Sequence, residues 1–386
     1  MRVCLAYDCL YPWTVGGAER WYRGLAEELA GAGHEVTYLT RLQWERDAPP
    51  QLPGVRIVPV SPSEPLYDDH GRRRIGEALR FGRGVLGHLM RHRHDYDAVH
   101  LCSFPYFSLI AARLALAGTG RRVMVDWFEV WSRAYWNEYL GSLAGPIGWA
   151  VQRLCVALTG EALVFSRLHE RRLRAEGLRG PVTVLTGLYD GPTGRAPAES
   201  EVEQLVVFAG RHIPEKRVHL VPSAIALARE SGLSGLRGLI LGDGPERERV
   251  LGSISQLGLE GSVDAPGFVE AAEVTNALAR AICLVLPSSR EGYGLVVIEA
   301  AALGTPSVVA PAPDNAAVEL VLDGVNGFVA EADGPVELAA AVMRVAEAGP
   351  ALRERTRNWF DENASGLSVR ASTRTVVERY AATARR

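Results

Sequence analysis

The fold class this sequence predicts is α/β: two doubly wound parallel-sheet (Rossmann-like) domains facing a cleft. Three observations predict it. Short apolar runs alternate with amphipathic helical stretches through both halves of the chain, the pattern of repeated βα units. At 386 residues the chain is long for a single core. The alternation is interrupted by LYDGPTGRAPAES, where Gly, Pro and Ser dominate and periodicity vanishes. The expected organisation is a first domain over 1–190, a linker over 191–203, a second domain over 204–365, and a last helix over 366–386 that packs back on the first domain.

Composition narrows the function classes. Hydrophobic content of 47% with 23% charged residues is ordinary for a globular protein. A net charge of −3 argues against a general nucleic-acid binder. The five cysteines show no CxxC spacing and several lie in apolar runs, so they read as core thiols. No run approaches the roughly 18 apolar residues of a membrane span. The expected location is cytoplasmic.

The elements follow in order. MRVCLAY reads as a buried strand, and the loop after it carries Trp13 and the pair Gly16-Gly17 before a helix over 18–32 with Trp21, Leu25 and Leu29 on one face. EVTYLT is the second strand. Such a Gly-Gly turn lets a ligand phosphate or sugar approach the backbone, or is a plain tight turn. Residues 71–94 are basic, with arginines alternating with Ile75, Leu79, Leu86 and Leu89. This stretch reads as a solvated helix on the sheet or as a weak contact with an anionic membrane surface. Asp95-Tyr96-Asp97 has the form of a metal-holding DxD, but it directly precedes a buried strand, and no metal is expected there. VMVDWFEVW begins as a strand and ends in an aromatic and acidic cluster; seven of the eight tryptophans lie before residue 150. Rings at that density are core, or stack on a ring-shaped ligand. Helix 148–158, strand 162–166, an arginine-rich helix 167–176 and strand 182–186 complete the first half.

The second half repeats the scheme: strand 205–209, loop 210–217, helix 220–230, strand 236–241, helix 246–257, a short strand between 263 and 269, and helix 273–280. It then reaches LVLPSSREGYGLVVIEAAALGTPSVVAP, residues 284–311, read as strand, loop, helix and strand. An acidic helix is expected near Val318, with helices to the end. Gly292 and Gly294 permit a tight turn through Tyr293, and the helix from Leu295 adds its unpaired donors and positive dipole end, a setting for phosphate. Glu291 precedes that helix and Glu299 lies within its first turns, so a ligand touching both is long. A nucleotide diphosphate sugar fits, its sugar near Glu291 and its ribose near Glu299; an ordinary surface βα unit is the plainer alternative. Loop 210–217 shares the same sheet edge, so Arg211 and Lys216 face the proposed phosphates. Two fixed cations can stabilise a departing diphosphate, and no cofactor is expected.

With these residues in view the chain resembles the retaining glycosyltransferases of family 4, which have the GT-B fold. The resemblance rests on Glu291-x7-Glu299 in SSREGYGLVVIEAAALGTPSV, supported in order by FAGRHIPEKR, LILGDGP, APGFV and GVNGFV, and it covers nearly the whole chain. It implies that Arg211 and Lys216 hold the diphosphate, that Glu291 contacts donor sugar hydroxyls, and that the amides of Gly292, Tyr293, Gly294 and Leu295 bind phosphate and sugar. It further implies that Glu299 accepts from the ribose, that backbone near Val269 meets the base, and that the Gly16-Gly17 loop closes over the donor. The implied reaction is a metal-independent front-face substitution, with Glu291, Arg211 and Lys216 as the catalytic set and a hydroxyl acceptor, a natural-product aglycone or a glycan.

Two departures stand out. The family's histidine after the strand ending at Asp126 is replaced by Phe128, and its Gly-Gly before the acidic helix by Ala312-Pro313-Asp314-Asn315. Asp126 and Glu129 become substitutes for the missing contact, Asn315 a candidate for the donor sugar, and Trp13, His100, Asp126, Phe128 and Glu129 the candidates for the acceptor side. Two alternatives remain: a sugar-nucleotide binding protein without catalysis, and a nucleotide-sugar epimerase of the same architecture. A nicotinamide oxidoreductase is disfavoured, because Gly242-Asp243-Gly244 lacks the third glycine of the dinucleotide fingerprint.

Overall fold

Apolar strands and amphipathic helices alternate as the sequence pattern requires. The computed structural model describes residues 1–45, 47–67, 73–121, 123–191 and 202–384, and it divides into two units. Most of the expected linker lies outside the described residues.

The first unit spans Met1–Asp190 with Ser368–Arg386. Its elements are β1 (Arg2–Ala6), α1 (Gly17–Gly31), β2 (Glu35–Arg41), β3 (Val55–Ser61), α2 (Ile75–Arg91), β4 (Ala98–Cys102), α3 (Tyr106–Ala115), β5 (Val123–Trp127), α4 (Arg133–Leu158), β6 (Glu161–Val164), α5 (Arg167–Ala175) and β7 (Val182–Val184). They form a parallel sheet in the order β3-β2-β1-β4-β5-β6-β7. The chain steps one way from β1 to β2 and the other way from β3 to β7, so right-handed crossovers put α1 on one face and α2 to α5 on the other. The central strands β4 and β5 are buried along their whole length.

The second unit, Gly191–Leu367, holds β8 (Leu205–Ala209), α6 (Leu220–Glu230), β9 (Arg237–Leu241), α7 (Arg247–Gln256), β10 (Val263–Gly267), α8 (Ala271–Arg280), β11 (Cys283–Leu286), β12 (Arg290–Glu291), α9 (Leu295–Ala302), β13 (Ser307–Val309), β14 (Asp314–Asn315), β15 (Gly327–Val329) and α10 (Pro335–Leu367). Its sheet order is β10-β9-β8-β11-β13-β15, again parallel. The order reverses beside β8, and the loops after β8 and β11 therefore leave adjacent strand ends. At this edge the backbone is close-packed: a Cβ on Gly242 (φ 119°) would lie 1.9 Å from the Gly210 carbonyl oxygen, so the β8 and β9 loops meet main chain to main chain.

Four local expectations are revised. The aromatic stretch before residue 148 is already helical, because α4 starts at a Ser132 cap that accepts from the Tyr135 amide and breaks only at Gly141 (φ 84°). The short strand ends at Gly267, before Val269. The acidic helix near Val318 is a 3-10 turn, Ala316–Leu320. Arg290–Glu291 and Asp314–Asn315 pair as a separate parallel ladder that periodicity in two-residue segments does not reveal. The DxD carboxylates have structural partners: Asp97 accepts from the Arg2 amide at 2.8 Å and Asp95 pairs with His92 at 2.7 Å.

The final helix α11 (Val369–Ala384) packs on α1 in the first unit. A fully buried polar chain ties it in. Asp126 accepts from Trp21 Nε1 (2.8 Å) and from His100 Nε2 (2.7 Å), which leaves His100 Nδ1 to accept from the Tyr380 hydroxyl at 2.7 Å. Burial pushes the Tyr380 phenol well above its usual range and keeps the donor in place. Tyr380→Phe is expected to cost about 1–3 kcal/mol, since it leaves a buried imidazole nitrogen unpartnered; chemical denaturation of the variant measures this, and an unchanged midpoint contradicts it.

Candidate functional site

In the second unit the loops at the C-terminal ends of β8 and β11 converge on one carboxylate. Glu291 is buried in β12, and its Oε1 accepts from Ser288 Oγ at 2.8 Å and forms an ion pair with Lys216 Nζ. Lys216 reaches it because Ile213-Pro214-Glu215-Lys216 winds into a 3-10 turn, with Lys216 N donating to Ile213 O at 3.0 Å. The two loops are stitched together elsewhere: Ser289 donates from its amide (2.8 Å) and its hydroxyl (3.1 Å) to Glu215 O, and Arg217 Nε donates to Pro287 O at 2.9 Å. Arg217 adopts a left-handed conformation (φ 47°) and also pairs with Asp333 at 2.7 Å. Arg211, one turn earlier, is exposed at the start of the same loop.

A third loop braces this pair. Arg290 is buried and pairs with Asp314 at 2.6 Å across the β12–β14 ladder, while Glu291 sits opposite Asn315. Asn315 was a candidate for the donor sugar; instead its amide nitrogen donates to Ser288 O (3.1 Å) and Ala310 O (2.8 Å) and its oxygen accepts from Ala317 N (3.0 Å). All its polar atoms serve the buttress. Ser288, Arg290 and Asp314 are the residues sequence reasoning missed; the available signal was their polarity inside an otherwise apolar run beside a carboxylate.

Helix α9 opens beside Glu291. Gly294 (φ 100°) forms its N-cap against the 3-10 turn, where an added Cβ would lie 2.6 Å from Ala317 Cβ. Val297 N already donates to the Gly294 carbonyl at 2.9 Å, while the amides of Leu295 and Val296 stand ahead of any partner four residues earlier in α9. Gly292 precedes the cap, and Tyr293 is buried, with burial pushing its phenol up. Glu299 is half-buried on the second turn of α9, about 6 Å along the axis from Leu295. At the β10 end, Val269 packs on the unit's core while Phe268 stands in solvent. His212 is fully buried behind the β8 loop; its amide donates to Asp243 O (2.8 Å), and burial lowers its pKa, which favours the neutral ring.

The first-unit candidates distribute differently. His100 and Asp126 are fully buried in the polar chain to α11, so the structure assigns them to the core and not to an acceptor. Phe128 stacks on Phe165 with centroids 4.3 Å apart, and Glu129 accepts from Trp131 Nε1 at 2.7 Å. Trp13 is exposed, edge-on to Trp44. Gly16 is extended and Gly17 starts α1; a Cβ on Gly16 would meet the Glu19 carboxylate, which accepts from the Tyr7 hydroxyl at 3.1 Å.

Comparison with known proteins matches both units. A family model described as "Glycosyl transferases group 1" matches residues 194–364, and one described as "Glycosyl transferase 4-like domain" matches residues 16–187. Glycogen synthase of Mycobacterium tuberculosis is 26% identical over 388 residues, covering 92% of this chain and 89% of that protein. The sucrose-phosphate synthase of Thermosynechococcus elongatus superposes with a TM-score of 0.79 at 17% identity, over 98% of both chains. HepE of Anabaena, in complex with UDP and glucose, superposes with a TM-score of 0.74 at 17% identity, over 99% of both. The chain belongs, on its two matched domains and its fold, to the glycosyltransferases of GT-B architecture.

Proposed function

We propose that this glycosyltransferase is a retaining enzyme that moves a sugar from a nucleotide diphosphate sugar to a hydroxyl acceptor, a natural-product aglycone or a glycan, without a metal. The observation that carries the reading is the Lys216–Glu291 pair, held by Ser288 beside the N-terminus of α9. A carboxylate fixed there suits the hydroxyls of a donor sugar, and the α9 amides suit the phosphates. Lys216 neutralises Glu291 without a donor; with one, its remaining N–H donors and Arg211 would face the diphosphate and stabilise the charge of the leaving group. Glu299 would accept from the ribose, and the backbone at Val269 from the base.

In a front-face substitution the anomeric C–O bond to the β-phosphate breaks as the acceptor oxygen bonds to the same face. The departing phosphate takes the acceptor's proton. The protein's part is to position both reactants and stabilise the leaving charge, which matches a site rich in fixed hydrogen bonds and without a separate nucleophile in the proposed set. A second reading, nucleotide-sugar binding without turnover, is favoured by one observation: the family histidine is replaced by Phe128, whose ring is stacked on Phe165 and offers no polar contact.

Nucleoside diphosphates of different bases are expected to raise the melting temperature, one of them most, and failure of all of them contradicts the donor assignment. Lys216→Ala should lower turnover by about 100- to 1,000-fold, the range for loss of one charge-stabilising donor, and weaken nucleoside diphosphate binding. Glu291→Gln should lower turnover by a similar factor while leaving nucleoside diphosphate affinity within about threefold, because its contact is with the sugar. Anomeric analysis of the product reports retention directly; an inverted product rules out the front-face route, and binding with no turnover across many acceptors selects the second reading.

A further inference from the structure

One helical layer of the first unit carries a charge opposite to that of the chain. Helices α2 to α5, on one face of the sheet, hold ten arginines and three glutamates, in a protein of net charge −3. Of those glutamates Glu77 is buried and Glu170 pairs with Arg167 at 3.0 Å. Flanking Glu64 and Glu176 pair with Arg80 and Arg153, and a clear positive surplus remains. Between Glu138 and Glu161 there is no acidic residue at all.

The same layer exposes large apolar side chains. Leu143 is 89% exposed, Ile147 66%, Leu114 63% and Ile75 59%, with Leu79, Met90 and Leu154 also in solvent. Leu143, Ile147 and Leu154 are spaced four and seven apart and form one stripe on α4. Leu143 stands just past the break at Gly141, where the chain turns a corner. Leu154 shares a groove with Ile110, Arg113 and Leu114 of α3, so the apolar surface continues from one helix to the next. Arg133 and Arg153 flank the Trp149 ring at 5.2 and 5.1 Å, which holds their cationic groups at the edge of the stripe.

Arginines with few carboxylates and protruding leucines together match a bilayer whose headgroups are anionic. The guanidinium groups meet lipid phosphates and the apolar tips enter the boundary with the acyl chains. A nucleic acid would use the arginines and leave the leucines unexplained. A second copy of the chain would set this positive layer against itself. Among the described residues no helix is long and apolar enough to cross a membrane, so the contact would be peripheral.

We propose that the face formed by α2 to α5 docks on an anionic lipid surface, with Leu143 and Ile147 inserted and Arg113, Arg153, Arg167 and Arg171 at the phosphates. Flotation of the whole protein with vesicles of phosphatidylcholine alone, and of phosphatidylcholine mixed with phosphatidylglycerol, tests this. Flotation is expected with the mixed vesicles only and is released by high salt. Leu143→Ser with Ile147→Ser should weaken it by at least about tenfold, and Arg167→Glu with Arg171→Glu by about fivefold or more per arginine, with circular dichroism and melting temperature unchanged because these side chains are exposed. No flotation with anionic vesicles, equal flotation with neutral ones, or full retention by the double serine variant overturns the proposal. So does an oligonucleotide-binding activity that the arginine variants lose in place of lipid binding, or a dimer in sedimentation that the serine variant dissociates.

Discussion

A buried carboxylate needs charged and hydrogen-bonding partners, and the loops around Glu291 are arranged to meet that constraint. Removing one member of such a pair leaves an uncompensated charge, at a cost of about 3–5 kcal/mol. Lys216 supplies the countercharge from the β8 loop, Ser288 a hydrogen bond from its own loop, and the ladder with Asp314–Asn315 fixes the main chain on the other side. Two loops are thereby locked to one carboxylate oxygen, and a third braces the main chain that carries it. Under the proposed function, the geometry a donor would meet is set before it arrives, which limits the ordering that binding must drive.

Buried polar groups play a second, purely structural part in the first unit. Trp21, Asp126, His100 and Tyr380 form one chain across α1, β5, β4 and α11, with His100 and Tyr380 bonded across 280 positions of sequence. Each polar atom has a partner, which is the condition under which burying it is tolerable. A histidine and an aspartate on adjacent strands look catalytic in a one-dimensional reading. Their burial and mutual bonding make them an anchor for the last helix instead.

The loop cluster proposed as the donor side was legible because its residues are local. Glu291, the glycines at 292 and 294 and the start of α9 are contiguous, and Lys216 lies in a loop whose sheet position follows from alternation and crossover rules. The buttress was not legible. Asn315 reads from sequence as a free polar side chain in a loop: its cap on Ala317 is local, but the bond to Ser288, 27 positions away, that ties it into the buttress follows from no spacing rule. The helical state of residues 133–147 was hidden in the same way, by glycines and Pro146 that lower intrinsic propensity while packing against the aromatic cluster favours the helix.

Sequence alone determined the two parallel-sheet units, the strand and helix order, and the candidate carboxylates and cations of the donor loops, because each depends on periodicity or on residues near in the chain. Tertiary structure decided which polar groups gather in the loops at the strand ends and which are bound up in the core, and which apolar side chains remain in water. Burial and hydrogen-bond partnership are set by segments that meet only after folding, and residue type does not specify them. That is why the pairing of Glu291 with Lys216 and the inward turn of His100, Asp126 and Asn315 appear only in the folded chain, and why the exposed stripe of α4 emerged only once α3 and α4 were placed side by side.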